Sequence, residues 1–460
     1  MDTSTTNDRL VPTQSLRRWR GASFFYHAVG LLHPWKEGSL LLRWAEPLGA
    51  LLMACVLGLG PFVSTGLIGV LLLACGGFWL VLTLADKGDR GGITTTHLWI
   101  LLYWGVAIVA VAFSPVQSAA FSGWVKLTLY LLWFALSARI LRGRRWQNWT
   151  IALYLLVSLV VSIYGVRQEM FGAEQLATWN DPLSTQADDT RAYSYLGNPN
   201  LLAGYLIPAV ALSGAACFAW RSWLQKAAAL VLLLANTACL FFTDSRGGWI
   251  GAAAMGLTFA LLLYFWWRPH MPKFWRVWFL PLAIGTGVIF LAGAIAAVEP
   301  LRLRLASIFA WRGDSSNNFR INVWYAAIDM IRARPVLGIG PGNAAFNKIY
   351  PLFMRPNYSA LSAYSIYLEV AVETGLVGLA AFLALLNSLG QHGWQGMIQL
   401  RSAEDKSGFW LIAAIAAMVG MLAHGLVDTV WYRPQINVVW WFLAALAVSQ
   451  AGDTTQSRSS

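Results

Sequence analysis

This chain is short of charge, short of histidine and without paired cysteine motifs, and each shortage removes a class of protein. Asp, Glu, Lys and Arg make up only 12% of its 460 residues, while 57% are hydrophobic. A soluble domain carries about 25% charged residues, so a soluble fold is excluded and an integral membrane protein is expected. The four cysteines, Cys55, Cys75, Cys217 and Cys239, each sit inside an apolar run, with no C-x-x-C pair and no histidine at zinc-ligand spacing. They read as small buried hydrophobes, and neither a metal nor another cofactor is expected. There is no G-x-x-x-x-G-K-[ST] loop, which leaves an ATP-driven motor without its phosphate cradle. No internal repeat is evident, so the inverted-repeat logic of many transporters gives no help. The first 38 residues lack a signal-peptide cleavage pattern.

Long apolar runs fill the rest. Stretches of about 20 apolar residues, the length that crosses the hydrocarbon core as a helix, recur near 39–59, 62–84, 97–113, 124–141, 148–167, 199–220, 224–242, 247–267, 277–298, 362–387, 408–430 and 434–450. The fold expected is all-α, a polytopic membrane helix bundle of about twelve transmembrane helices with a large exoplasmic loop before the tenth. The chain divides accordingly. Residues 1–38 form a cytoplasmic amphipathic segment mixing Arg17, Arg18 and Arg20 with Trp19, Phe24, Phe25 and Tyr26. Residues 39–298 hold spans one to nine, 299–361 the exoplasmic loop with interfacial helices, 362–450 spans ten to twelve, and 451–460 a cytoplasmic disordered tail.

Orientation follows from basic residues in short connections, which favour the cytoplasm. Arg139, Arg142, Arg144 and Arg145, then Arg268, Lys273 and Arg276, then Arg401 and Lys406 mark alternate connections. Both termini are therefore expected in the cytoplasm of a plasma-membrane protein. The net charge of +12 is largely the share this rule predicts, and no basic stretch stands in a soluble domain, so nucleic acid is rejected as a partner. The bilayer is the partner that composition demands, and protein partners are not legible.

The loop 299–361 is the part this rule does not explain. It holds Arg302, Arg304, Arg312, Arg320, Arg332, Arg334, Lys348 and Arg355 against Glu299, Asp314 and Asp329, interleaved with Trp311, Trp324, Tyr325, Tyr350 and Tyr358. A cationic, aromatic-rich loop calls for an anionic ligand or lipid headgroups. Ser316, Asn317 and Asn318 are placed to cap a helix carrying Arg320 and Trp324, with Trp324 an interface anchor if that helix lies on the leaflet. The glycines of the following Pro335–Asn343 stretch, Gly340 and Gly342 among them, let backbone approach backbone or ligand.

Other residues reach the same surface. Asn198 can cap a helix that Pro199 begins, either as a plain helix start or as an N–H nest for an anion. Asp188, Asp189 and Arg191 precede it. Ser245 and Arg246 stand in a tight turn at the bilayer edge, with Arg246 paired to Asp244, snorkelling, or aimed at a phosphate or carboxylate. Glu369 and Glu373 share one helical face and answer the helix dipole or the loop arginines. His424 and Asp428, also four apart and just before Arg433, allow either a structural hydrogen bond or proton transfer.

The series Asn198-Pro199-Asn200, Ser245-Arg246-Gly247-Gly248, Arg320 followed by Trp324, Pro335 with Gly338-Ile339-Gly340-Pro341-Gly342-Asn343, and Tyr367-Leu368-Glu369 with Glu373-x-Gly375 resembles the O-antigen ligase and polymerase superfamily over roughly residues 190 to 440. Within it the chain is most similar to the cyanobacterial branch named for bicarbonate transport and linked to inorganic carbon accumulation. The resemblance implies transfer of glycans from a polyprenyl pyrophosphate carrier, with outward arginines for the pyrophosphate and a histidine activating the acceptor hydroxyl. Arg246 and Arg320 match the arginine positions. The histidine position is Tyr364, followed by Ser365 and by Gly375-x-x-Gly378. A phenol with a pKa near 10 is a poor base at neutral pH, so a family-type ligase needs another base, His424 or a Glu369 of raised pKa; with Tyr364 itself and Asp428 these make up the catalytic candidates.

Three functions stay open on these residues. One is a non-enzymatic role in inorganic carbon accumulation, as transporter or accessory factor, with bicarbonate as the anion in a basin of Arg191, Arg246, Arg320 and Arg433. The second is a glycosyl transferase or ligase taking a polyprenyl-pyrophosphate glycan with a rearranged base. The third is simple contact between the arginines and anionic lipid. In each, Asn198, Ser245, Trp324, Gly340, Gly342 and Glu373 are supporting residues.

Overall fold

A computed structural model describes residues 38–85, 95–173, 191–297, 299, 302 and 311–449. The amphipathic segment and tail expected at the two ends, and Asp188, Asp189 and Arg304, lie outside the described residues. The described residues are mostly helical, with no strand among them.

A helix stands at each of the twelve apolar runs. They are α1 Ala45–Leu59, α2 Thr65–Leu84, α3 Thr95–Ala112, α4 Gln117–Ile140, α5 Arg144–Phe171, α6 Pro199–Ala219, α7 Trp223–Phe242, α8 Arg246–Trp267 and α9 Lys273–Ala297, followed after the loop by α12 Ile366–Ser402, α13 Gly408–His424 and α14 Pro434–Ser449. Between them lie α10 Ser315–Ala333 and α11 Asn343–Ile349. Among the described residues eight helices are long and apolar enough to cross a membrane; α1, α13 and α14 are apolar but shorter. The protein is a multi-pass membrane protein.

Burial sorts the helices. From Leu201 to Ser213 every residue of α6 is buried, and a helix apolar all round belongs at the centre of a bundle. Around it sit Trp410, Trp440, Tyr154 and Phe442, all fully buried. Polar contacts tie the layers where lipid offers no partner. Ser162 of α5 donates to Asn236 Oδ1 of α7 at 2.8 Å, and Asn236 Nδ2 donates to Ser213 of α6 at 3.2 Å. Between α8 and α13 the helices meet through Gly251 and Gly420. A β-carbon at Gly251 would stand 2.7 Å from the Gly420 carbonyl oxygen, so only glycine permits this approach. The free cysteines behave as expected for hydrophobes, with Cys75 and Cys239 buried and Cys55 and Cys217 half-buried.

Two expectations about elements are corrected. The eleventh helix stops at His424 rather than near 430, because the chain turns there and the Gly425 carbonyl accepts the Ile366 N–H at 2.8 Å. The tenth helix runs to Ser402 and is broken at Gly375, whose φ of 69° lies in the left-handed region. Such a break leaves backbone groups without helical partners, costly at membrane depth unless protein supplies them. Here Pro335–Gly340 does. Ile339 N–H donates to Val372 O and Gly340 N–H to Glu373 O, each at 2.9 Å, and Leu376 N–H donates to Pro335 O at 2.8 Å. The glycine-rich stretch thus caps a broken helix, while Gly340 and Gly342 pack against Ala120 and Gly123 of α4.

Helix α10 does not simply lie on the bundle. It buries Val323, Ala326, Ala327 and Met330 in a small core with α11, Ala119 and Ala120 of α4 and Val372 of α12. Its cap is Asp314, whose carboxylate accepts the Asn317 N–H at 2.8 Å, rather than Ser316, Asn317 or Asn318.

Candidate functional site

The starts of α6, α8, α10 and α12 and the end of α13 meet at one end of the bundle. Ser245 caps α8 by accepting the Gly248 N–H at 3.1 Å, which sets Arg246 as the first helical residue, only 9% exposed. Its guanidinium donates to Asp314 at 2.9 Å, so the cap of α10 and the first residue of α8 are one ion pair. The partner so placed is Asp314, from the long loop.

Arg320 lies one turn into α10, with its Nη1 donating to Ser316 at 3.0 Å and its Nη2 3.8 Å from Asp428. Its Nε is buried without a hydrogen-bond partner. Burial lowers the Arg320 pKa from its ordinary value; the Asp428 carboxylate opposes this and the Arg246 charge adds to it. Arg246 and Arg320 line one cavity of about 140 Å³ with Asn317, Trp324, Ile250 and Val427. Trp324 is held by donating its indole N–H to the Tyr364 carbonyl at 3.2 Å.

Asn200 is the residue that sequence reasoning passed over. Its Nδ2 donates to Asp428 at 2.7 Å and its Oδ1 accepts from Ser245 at 2.8 Å, so it joins α6, α8 and the segment after α13. The signal was available in the Asn198-Pro199-Asn200 motif, but only Asn198 has a local task that a motif reveals. Asn198 caps α6, accepting the N–H groups of Asn200 and Leu201 at 2.8 and 3.3 Å.

Of the four arginines, Arg246 and Arg320 line the cavity, and Arg191 stands beside it with its Nη2 3.5 Å from Asn200 Oδ1. Arg191 donates to the Thr243 and Asp244 carbonyls at 3.2 Å each and so braces the turn before α8. Arg433 is exposed and lies over the Tyr432 ring at 5.2 Å. Neither is among the residues lining the Arg246–Arg320 cavity.

The catalytic candidates also separate. Because α13 ends at His424, Asp428 is not on the same helical face, and the expected His424–Asp428 hydrogen bond is not formed. His424 is fully buried with both ring nitrogens unpartnered, facing Gly247 of α8. Tyr364 packs edge-on against Phe319, and burial raises its pKa, with Asp428 and Tyr432 adding to the effect and Arg320 opposing it. That makes the phenol a poorer base than a free tyrosine. Glu369 accepts the Ala363 N–H at 2.5 Å, and it lines a second cavity together with Glu373.

Residues 228–383 match the O-antigen ligase family. The match is narrower than the 190–440 stretch over which the motifs run, and it covers a minority of the chain. It includes Arg246, Arg320, Tyr364 and Gly375, and it leaves out Asn200, His424 and Asp428. It supports the O-antigen ligase superfamily; it does not extend to the cyanobacterial branch, and bicarbonate transport finds no support in it. No curated protein matches the chain.

Proposed function

We propose that this is a plasma-membrane protein of the ligase type that binds the pyrophosphate of a polyprenyl-linked glycan between Arg246 and Arg320. The observation that carries this reading is the shared cavity, with two guanidinium groups on it and one Nε donor unpartnered. Planar guanidinium forks suit phosphate oxygens, and burial strengthens the attraction. The positive-inside rule puts both termini in the cytoplasm and this cavity on the opposite face, where residues 299–361 are exoplasmic.

Glycan transfer needs a base as well as a carrier site. The ligase-type histidine position is Tyr364, and the carboxylates nearest the cavity, Asp314 and Asp428, stand against Arg246 and Arg320. The reading is therefore carrier binding, with turnover absent in the natural chain.

Titration of purified protein with undecaprenyl pyrophosphate tests it. Tight binding is expected, and Arg246→Ala or Arg320→Ala should each weaken it about ten- to a hundredfold, since a charge-assisted hydrogen bond contributes about 1.5–3 kcal/mol. Undiminished binding by the double variant would sink the carrier reading. Bicarbonate in millimolar excess is expected not to displace the pyrophosphate. Tyr364→His, given a carrier-linked glycan and an acceptor, is the variant expected to gain turnover.

A further inference from the structure

A second cavity of about 150 Å³ lies among α3, α4, α12 and α14, and it shares no lining residue with the arginine cavity. Its chemistry is of the opposite sign. Glu369 and Glu373, one turn apart on α12, both line it. Glu369 is 6% exposed, and neither carboxylate has an ion-pair partner among the described residues. Glu369 is held instead by the Ala363 N–H. A buried carboxylate, Glu369, and a half-buried one, Glu373, on one cavity call for a positive group.

The remaining walls specify what kind. Thr429 is 2% exposed, lines this cavity, and its hydroxyl has no partner; the Asn437 Oδ1 on the same wall has none either. These oxygens add acceptors beside the carboxylates, suited to a ligand with several N–H donors, and an ammonium has up to three. Trp431 and Tyr432 present aromatic surface, which attracts a cation over the ring face and covers a hydrocarbon body. The Trp431 indole N–H is unpartnered as well, and a ligand hydroxyl would accept from it. A bare divalent metal fits less well, because no group of three or more His, Cys, Asp or Glu side chains stands together among the described residues.

We propose that this cavity binds a small amino alcohol in its ammonium form, with Glu369 and Glu373 on the charged end and the Trp431–Tyr432 wall on the body. Free ethanolamine and an ethanolamine lipid headgroup share that chemistry. Lys126 lies on the cavity wall but is exposed and forms no ion pair with either carboxylate, so it does not take the ligand's place.

Calorimetric titration of the full chain in detergent with ethanolamine hydrochloride tests this, with sodium chloride and glycerol as controls. Saturable binding of ethanolamine alone is expected, weakened at least about tenfold by Glu373→Gln and by Glu369→Gln, and retained by Lys126→Ala. Arg246→Ala should leave it unchanged, which separates this site from the carrier site. If the glutamine variants fail to fold, Thr429→Val keeps the side-chain shape and should still weaken binding. In nanodiscs, loss of the ethanolamine signal when phosphatidylethanolamine replaces phosphatidylglycerol would assign the headgroup as the source, and a preserved signal the free amine. Equal binding of sodium or glycerol, no binding at all, or wild-type affinity in the folded glutamine variants would overturn the proposal.

Discussion

Asp314 serves two elements with one carboxylate, capping α10 through the Asn317 N–H and pairing with Arg246 at 2.9 Å. An incoming anion therefore competes with a carboxylate already present. Asn caps a helix about as well as Asp but carries no charge. Asp314→Asn should keep α10 in place and tighten pyrophosphate binding severalfold, measured by the same titration as the arginine variants; weaker binding would show that Asp314 helps to hold the anion site rather than competing for it. At this scale the sequence spoke unevenly. Arg246 and Arg320 stood out because a charge in an apolar chain is conspicuous. Asn200 did not, since a neutral amide in a helix start has no local signature, and its role exists only where three separated segments meet.

At the scale of elements, the break in α12 governs the neighbouring loop. Gly375 takes a φ of 69°, and a β-carbon there would collide with the Val336 carbonyl. Gly375→Ala should destabilise the protein by about 1–3 kcal/mol, the cost of holding a non-glycine residue in such a conformation. It should also loosen Pro335–Gly340, seen as faster amide exchange at Ile339, Gly340 and Leu376. An unchanged melting temperature and unchanged exchange would show that the loop does not depend on the break. The glycine-rich stretch was legible as a place of close approach. What approached it was not legible, because the partner, Val372–Leu376, lies more than thirty residues further along the chain, and hydrophobic periodicity runs through the break without interruption.

For the whole molecule, the connections rich in basic residues meet at the end away from the arginine cavity. Arg144 pairs with Asp405, and Arg401 donates to the Phe265 carbonyl at 3.0 Å. From Arg246 to Trp267, α8 rises about 33 Å, so the two ends are separated by roughly a bilayer core. On the proposed orientation, Ser316→Cys should react with a membrane-impermeant thiol reagent on intact cells and Lys406→Cys only after lysis, in a chain whose four native cysteines are replaced. The reverse pattern would invert the topology.

Composition and periodicity by themselves determined that this chain is an all-α, multi-pass membrane protein and where its helices run. The physical reason is that lipid imposes a length and a polarity on every span, a constraint each stretch of sequence satisfies alone. Tertiary structure alone decided that Arg246 and Arg320 share a cavity while Arg191 and Arg433 do not, that His424 and Asp428 are parted by a turn, and that Glu369 and Glu373 face a separate cavity. Those are properties of how helices distant in sequence pack, and no local pattern encodes which carboxylate an arginine will meet.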